Sequence, residues 1–302
     1  MTTQNNIFQL PQTNTEIEAQ MDTRLREKFF PKGISVVADI INGLYRISPT
    51  LSARLTMFLL SVSMRRPLKT KDKLFYQKGQ KQSFRCGTKK FNIYTFGEGP
   101  KVLMVHGWVS NGARWQNYID EIVSKGLSAV VIDAPGQGTS QGFLLSIPAY
   151  IDCVRKVLNT HDDWYGIVAH SIGSIVSIVA ASEATTVKQP LKIVLMSTFS
   201  DCYALMTKYA RCLGIAENVL NYTKKFIFTL YRNPLSYFSL IEHCKNLVGE
   251  GLLIHDRNDI VVPYAEVIKI TASIPDIQYF ESVNAGHNLN VIAVKNRVIN
   301  FI

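Results

Sequence analysis

From residue 101 onward, short apolar runs alternate with segments whose apolar residues fall at helical spacing. The runs lie at 102–105, 129–132, 165–168, 193–196, 252–254 and 278–280. Between them, helical patterns cover 113–123, a segment capped at Ser146 with Pro148 in its first turn, 172 to about 184, 263–272 and 289–302. A short continuous apolar run reads as a strand buried on both faces, and helices between such runs are the crossovers of a parallel sheet. The expected fold is therefore α/β, a mostly parallel sheet with helices on both faces. Upstream, 74–79 and 90–96 alternate like half-buried strands. Residues 34–47 and 50–64 have helical spacing, with Ser48-Pro49 as cap and first turn of the second stretch.

The rhythm stops between about 200 and 248, where Tyr, Phe and Leu are interspersed with Lys and Arg. That segment is expected to be a helical insertion over the sheet after the sixth strand, a lid. The first thirty residues are polar and rich in Gln, Asn and Thr. The expected organisation is a flexible lead-in over 1–30, an N-terminal helical segment over 31–67 and the sheet domain over 68–302.

Composition narrows the class. The chain has 302 residues, 47% hydrophobic and 19% charged, which excludes a disordered or collagen-like chain. Residues 55–64 are too short for the ~20 apolar residues of a membrane span. Residues 164–182 carry no acid, Lys or Arg but contain His170, Ser171, Gly173, Ser174 and Ser177, which reads as a buried strand turning into a buried helix. Five widely spaced cysteines form no CxxC pair and fit a reducing compartment. A cytoplasmic protein is expected, with no metal and no cofactor.

In open parallel sheets ligands bind at the carboxyl ends of the strands. Four such ends carry chemistry. Ala169-His170-Ser171-Ile172-Gly173 joins a strand to a helix, and a serine on that tight turn exposes its Oγ above a helix N-terminus. Ser171 is the candidate nucleophile. His106-Gly107-Trp108 can aim the Trp108 N–H at the same space, forming a two-donor oxyanion hole with the Ile172 N–H. His287 in Gly286-His287-Asn288 follows all the strands, so its loop can reach back as general base. For the acid, Asp259 is the first choice, with Asp201 and Asp256 as rivals.

The order Ser171, Asp259, His287, together with Asp133-Ala134-Pro135-Gly136-Gln137-Gly138-Thr139-Ser140 and Asp259-Ile260-Val261-Val262-Pro263, resembles the α/β-hydrolase family of the serine esterase and lipase type. The resemblance runs from about residue 91 to the C-terminus and leaves 1–65 uncovered. It implies a Ser-His-Asp carboxylesterase acting on an ester or thioester with an apolar acyl or aryl group. A C–C hydrolase or haloperoxidase-like enzyme of the same fold, and a non-catalytic receptor, are the alternatives. Ala169 stands where the family usually has glycine.

The net charge is +10, and Arg65 to Lys90 holds ten basic residues against one acid, Asp72. Lysines at a sheet edge deter edge-to-edge pairing. The same segment beside an apolar helix suits peripheral contact with an anionic membrane. A nucleic-acid partner is not expected, since few aromatic residues lie among these cations.

Overall fold

The computed structural model describes residues 26–27, 30, 33–63, 65–87, 89–188 and 190–302. The expected lead-in falls almost wholly outside them. In chain order the described elements begin with α1 (Ile34–Leu44), α2 (Pro49–Ser61), α3 (Thr70–Lys78), β1 (Gln80–Cys86), β2 (Lys89–Phe96) and β3 (Lys101–Val105). Then come α4 (Gln116–Ser124), β4 (Ser128–Asp133), α5 (Ile147–Leu158), β5 (Trp164–His170), α6 (Ile172–Glu183) and β6 (Leu191–Met196). Helices α7 (Cys202–Leu213), α8 (Glu217–Tyr231) and α9 (Leu240–Cys244) precede β7 (Gly249–Asp256), α10 (Ala265–Ser273), β8 (Gln278–Ser282) and α11 (Ile292–Phe301).

The eight strands form one sheet in the order β1-β2-β4-β3-β5-β6-β7-β8. The β1–β2 and β2–β4 pairs are antiparallel and the rest parallel. Alternation along the strands builds two cores. Val105, Ile132, Ala169 and Leu195 pack with α5 and α6 on one face. Their neighbours Met104, Val131, Val168 and Val194 pack with α4 and α11 on the other. Strands β3, β4, β5 and β6 bury both sets, which is why the sequence shows unbroken apolar runs there rather than alternation. The chain order reverses between β3 and β5, which opens a crevice at their carboxyl ends.

One expected strand is a helix. Residues 74–78 form the end of α3, not a strand, and β1 begins only at Gln80. The Lys69 N–H donates to the Asp72 carboxylate (2.9 Å) and closes the first turn. Consecutive Phe75 and Tyr76 are both buried while Leu74 is exposed, which is a helical pattern and not a two-residue one.

Helices α7 to α9 occupy the break in the rhythm between β6 and β7. Ala38 and Ile41 of α1 bury against Ala210, Leu213, Val219 and Leu220 of α7 and α8. Helix α2 is joined to α8 by a Thr50–Tyr222 hydroxyl hydrogen bond (3.0 Å) and by the Arg54 guanidinium over the Phe226 ring (5.9 Å). No helix among the described residues is long and apolar enough to cross a membrane, and no two cysteines form a disulfide.

The basic segment does not stay together. Lys81, Arg85 and Lys90 are exposed on the antiparallel edge of the sheet. Arg65 is tied to the turn after β4, donating to the carbonyls of Gly136, Ser140 and Gly142. Arg66, Lys69 and Lys71 turn instead to a polar cleft beside Arg114.

Candidate active site

Strand β5 ends at His170 and α6 starts at Ile172, so Ser171 alone turns the chain. It does so at φ 56°, ψ −129°, a conformation that costs a residue with a Cβ on the order of 1–3 kcal/mol. Two backbone bonds hold it there: the Ser171 N–H donates to the Met196 carbonyl (2.8 Å), and the Ser174 N–H donates to the Ser171 carbonyl (2.9 Å). Space for the turn comes from two glycines. A Cβ at Gly107 would stand 2.8 Å from the Ser171 Cβ, and one at Gly173 would stand 2.6 Å from the His106 carbonyl oxygen. Ala169, one strand residue earlier, packs its methyl in the α6 core without displacing β5 from register with β3 and β6.

His287 reaches this turn from the loop after β8. Its Nε2 lies 3.2 Å from the Ser171 Oγ and its Nδ1 lies 2.8 Å from the Asp259 Oδ2. The other carboxylate oxygen of Asp259 accepts the N–H groups of Val261 (2.8 Å) and Val262 (3.1 Å). Burial alone would raise the Asp259 pKa. The opposing effects of His287, His255 and the Val262 N–H outweigh it, so the carboxyl is held below its usual range.

The rival acids do other work. The Asp201 carboxylate accepts the Ala204 N–H (2.7 Å) as the N-cap of α7. Asp256 is fully buried and accepts from the Asn258 N–H (2.9 Å) and the Ala285 N–H (2.7 Å). It thereby ties the loop of Asp259 to the loop of His287. Its position two residues before Asn258, at the end of a strand, is the turn-forming pattern that marks it in the sequence.

His170 departs from expectation. A residue beside the nucleophile should point to the far side of the turn, yet its Nε2 lies 2.7 Å from the His287 carbonyl and its ring 4.9 Å from the His287 ring. That bond requires Nε2 to carry the proton. Burial first, then Arg114 and His287, push its pKa well below the ordinary imidazole value, so it is a neutral donor that braces the His287 loop. His106 plays a similar part. Its Nδ1–H donates to the Gly107 carbonyl (2.7 Å) and its Nε2 accepts the Ala134 N–H (3.1 Å).

The loop of Trp108 is positioned by Asp133, a buried carboxylate at the end of β4. It accepts from the Gly112 N–H (2.7 Å), the Tyr76 hydroxyl (2.7 Å), the Thr139 N–H (2.7 Å) and the Thr139 hydroxyl (2.8 Å). Gly138 is required beside it, because a Cβ there would fall 2.4 Å from the carboxylate. Among the described residues, no protein acceptor lies on the N–H of Trp108 or of Ile172.

Next to these two amides is an apolar cavity of about 110 Å³, lined by Met57 and Leu60 of α2, Leu205 and Tyr209 of α7, and Trp108 and Ile172. The Trp108 ring stacks on Tyr209 at 5.3 Å. No group of three or more His, Cys, Asp or Glu suited to a metal occurs among the described residues.

No protein-family profile matches the chain. It is 25% identical over 155 residues to the pimeloyl-[acyl-carrier protein] methyl ester esterase of Aeromonas salmonicida, a match covering 50% of this chain and 57% of that protein. The chain thus spans little more than half the length of that curated relative. Among solved structures it is similar to the Pyrococcus furiosus esterase Pf2001 (TM-score 0.56, 19% identity, 80% of this chain and 96% of that one). It is also similar to the thioesterase domain from the curacin biosynthetic pathway (TM-score 0.54, 14% identity, 74% and 99%). The strand order, the sharp turn after β5 and these likenesses show that the chain has the α/β-hydrolase fold.

Proposed function

We propose that the protein is a serine hydrolase that cleaves a carboxylic ester or thioester with an apolar acyl group. The observation that carries this reading is the chain of hydrogen bonds from Ser171 Oγ through His287 to Asp259. Asp259 is ionised and accepts the Nδ1 proton, which leaves Nε2 unprotonated and facing the Ser171 hydroxyl. The Ser171 Oγ attacks the carbonyl as Nε2 takes its proton. The oxyanion is received by the Trp108 and Ile172 amides, a pair whose removal typically costs roughly 3 kcal/mol per donor. His287 then protonates the leaving group, and the acyl-enzyme is hydrolysed by water activated at the same Nε2.

Two facts support an apolar acyl group. The cavity beside those amides is lined by Met57, Leu60, Leu205 and Tyr209. The curated relative is named for the methyl ester of an acyl chain on a carrier. The test is a chain-length series of p-nitrophenyl esters with wild type, Ser171→Ala and His287→Ala, alongside labelling by a fluorophosphonate. Wild type should turn over and label at Ser171, and both variants should lose at least ~10²-fold in kcat. Labelling without turnover of any ester would redirect the reading to C–C or haloperoxidase-like chemistry. No labelling at all would leave a receptor.

A further inference from the structure

Ten basic residues crowd residues 65–90, and the proposed hydrolysis uses none of them. Three of them, Arg66, Lys69 and Lys71, meet Arg114 around a polar cleft of about 280 Å³. Its other walls include Asn111, from the loop after Trp108, and Asn288, the residue after His287. The one carboxylate on the cleft is Asp72, and it is engaged by the Lys69 N–H (2.9 Å). Among the described residues, none of the four cations makes an ion pair. Arg114 is half-buried, lies over the Trp115 ring (4.8 Å) and gives one hydrogen bond, from Nη2 to the Asn288 carbonyl (3.1 Å). A guanidinium withdrawn from water usually has a carboxylate or phosphate opposite it. Here four positive charges and several side-chain amides face a space whose one carboxylate, Asp72, leaves a net excess of three positive charges.

The two pockets share no lining residue. The apolar cavity touches Trp108 and Ile172, where the acyl carbonyl is held. The basic cleft is bounded by the loop that carries the general base. A general base at Nε2 returns its proton to the leaving group, so the leaving group sits on the His287 side.

We infer that the Arg66, Lys69, Lys71 and Arg114 cleft binds a phosphate group carried on the leaving group of the substrate, so that the natural substrate is an acyl ester or thioester of a phosphate-bearing alcohol or thiol. This rests on the hydrolase reading. In the first half-reaction the bond from Ser171 Oγ to the acyl carbon forms and the acyl C–S or C–O bond breaks. The departing thiol or alcohol takes the proton from His287 and leaves with its phosphate. Water then supplies the oxygen of the free acid and returns a proton to Ser171. Free phosphate would meet the same four cations, so the test has to separate the two sources.

Octanoyl coenzyme A serves as the phosphate-bearing thioester, and S-octanoyl-N-acetylcysteamine as the neutral thioester of the same acyl group. In the double variant Lys69→Glu/Lys71→Glu, the ratio of kcat/KM for the charged over the neutral thioester should fall at least about tenfold, chiefly through KM. The wild-type ratio should also fall as ionic strength rises from 50 to about 300 mM. Inorganic pyrophosphate should raise KM for the coenzyme A thioester without changing its kcat. An unchanged ratio in the double variant overturns the inference. So does pyrophosphate lowering kcat on both thioesters alike, which would make the cleft a free-anion regulatory site. If no thioester or ester is cleaved by wild type, the hydrolase reading fails separately, and calorimetry with pyrophosphate still reads the cleft: binding lost in the double variant retains the anion site, and no binding to wild type removes it.

Discussion

Asp259→Asn tests the proposed chemistry at its most constrained atom. Asp259 Oδ1 already accepts two backbone N–H groups, from Val261 and Val262, at 2.8 and 3.1 Å. An asparagine in this position must keep its carbonyl oxygen there, since an NH₂ would face two donors. Its NH₂ therefore points at His287 Nδ1, where the carboxylate now accepts at 2.8 Å. The imidazole must answer by accepting at Nδ1, which moves its proton to Nε2, the atom facing Ser171 at 3.2 Å. A protonated Nε2 cannot take the serine proton. The equivalent change in a serine-protease triad lowers kcat roughly 10⁴-fold by this tautomer switch, with geometry kept. The same loss is expected here, measured as kcat on p-nitrophenyl butyrate at pH 7.5, with circular dichroism confirming the fold. Asp201→Asn is the control, because asparagine caps a helix about as well as aspartate, so its kcat should stay within about twofold. If Asp259→Asn retained more than about a tenth of wild-type kcat, Asp259 would not be orienting the base.

Gly107→Ala puts a methyl 2.8 Å from the Ser171 Cβ and 3.1 Å from the His170 Nδ1; displacement of the nucleophile by several tenths of an ångström should lower kcat roughly 10²-fold with little change in KM, and an unchanged kcat would contradict the tight turn. His106, His170 and His255 all have pKa values lowered mainly by burial. They stay neutral in the folded chain while the unfolded chain, titrating near pH ~6.5, binds protons; the unfolded state holds more protons, so stability should be unaffected by them above about pH 6.5 and fall below it. A thermal midpoint that is flat from pH 7.5 to 5 would refute this. Val36 and Ile40 on α1 and Leu51, Leu55 and Phe58 on α2 form exposed stripes at helical spacing, with Arg46 exposed in the turn between the two helices and Arg54 exposed on α2. Sedimentation with anionic vesicles at low salt and release at high salt is expected; equal, negligible binding to anionic and neutral vesicles at both salts argues against a membrane role.

The ends of β3 and β5 were legible because the candidate residues around Trp108 and Ser171 follow directly on runs buried on both faces, a signal that nothing nearby obscures. Ser171, His287 and Asp259 meet in space as their places in the chain imply. Residues 74–79 were not legible: six residues of apparent alternation are too few to separate a strand from a helix whose cap, Lys69 with Asp72, lies outside the window. The role of His170 was hidden for another reason. Its partner is the backbone carbonyl of His287, 117 residues away, and a backbone acceptor has no residue type to notice. The basic segment misled by looking continuous, when the fold sends its residues to a sheet edge, a turn and a cleft.

Helix α2 presents Met57 and Leu60 to the apolar cavity and is joined to α8 through Thr50, Arg54, Tyr222 and Phe226. None of those joining contacts involves a strand or either face of the sheet. Met57 and Leu60 of α2 and Ile227 and Tyr231 of α8 supply part of the cavity's lining, and Trp108, Ile172 and residues of α7 supply more. On the hydrolase reading, substitutions at Met57, Leu60, Ile227 or Tyr231 would reshape the space beside Trp108 and Ile172 without replacing any member of the Ser171–His287–Asp259 chain, so acyl fit and bond breaking would rest on different elements.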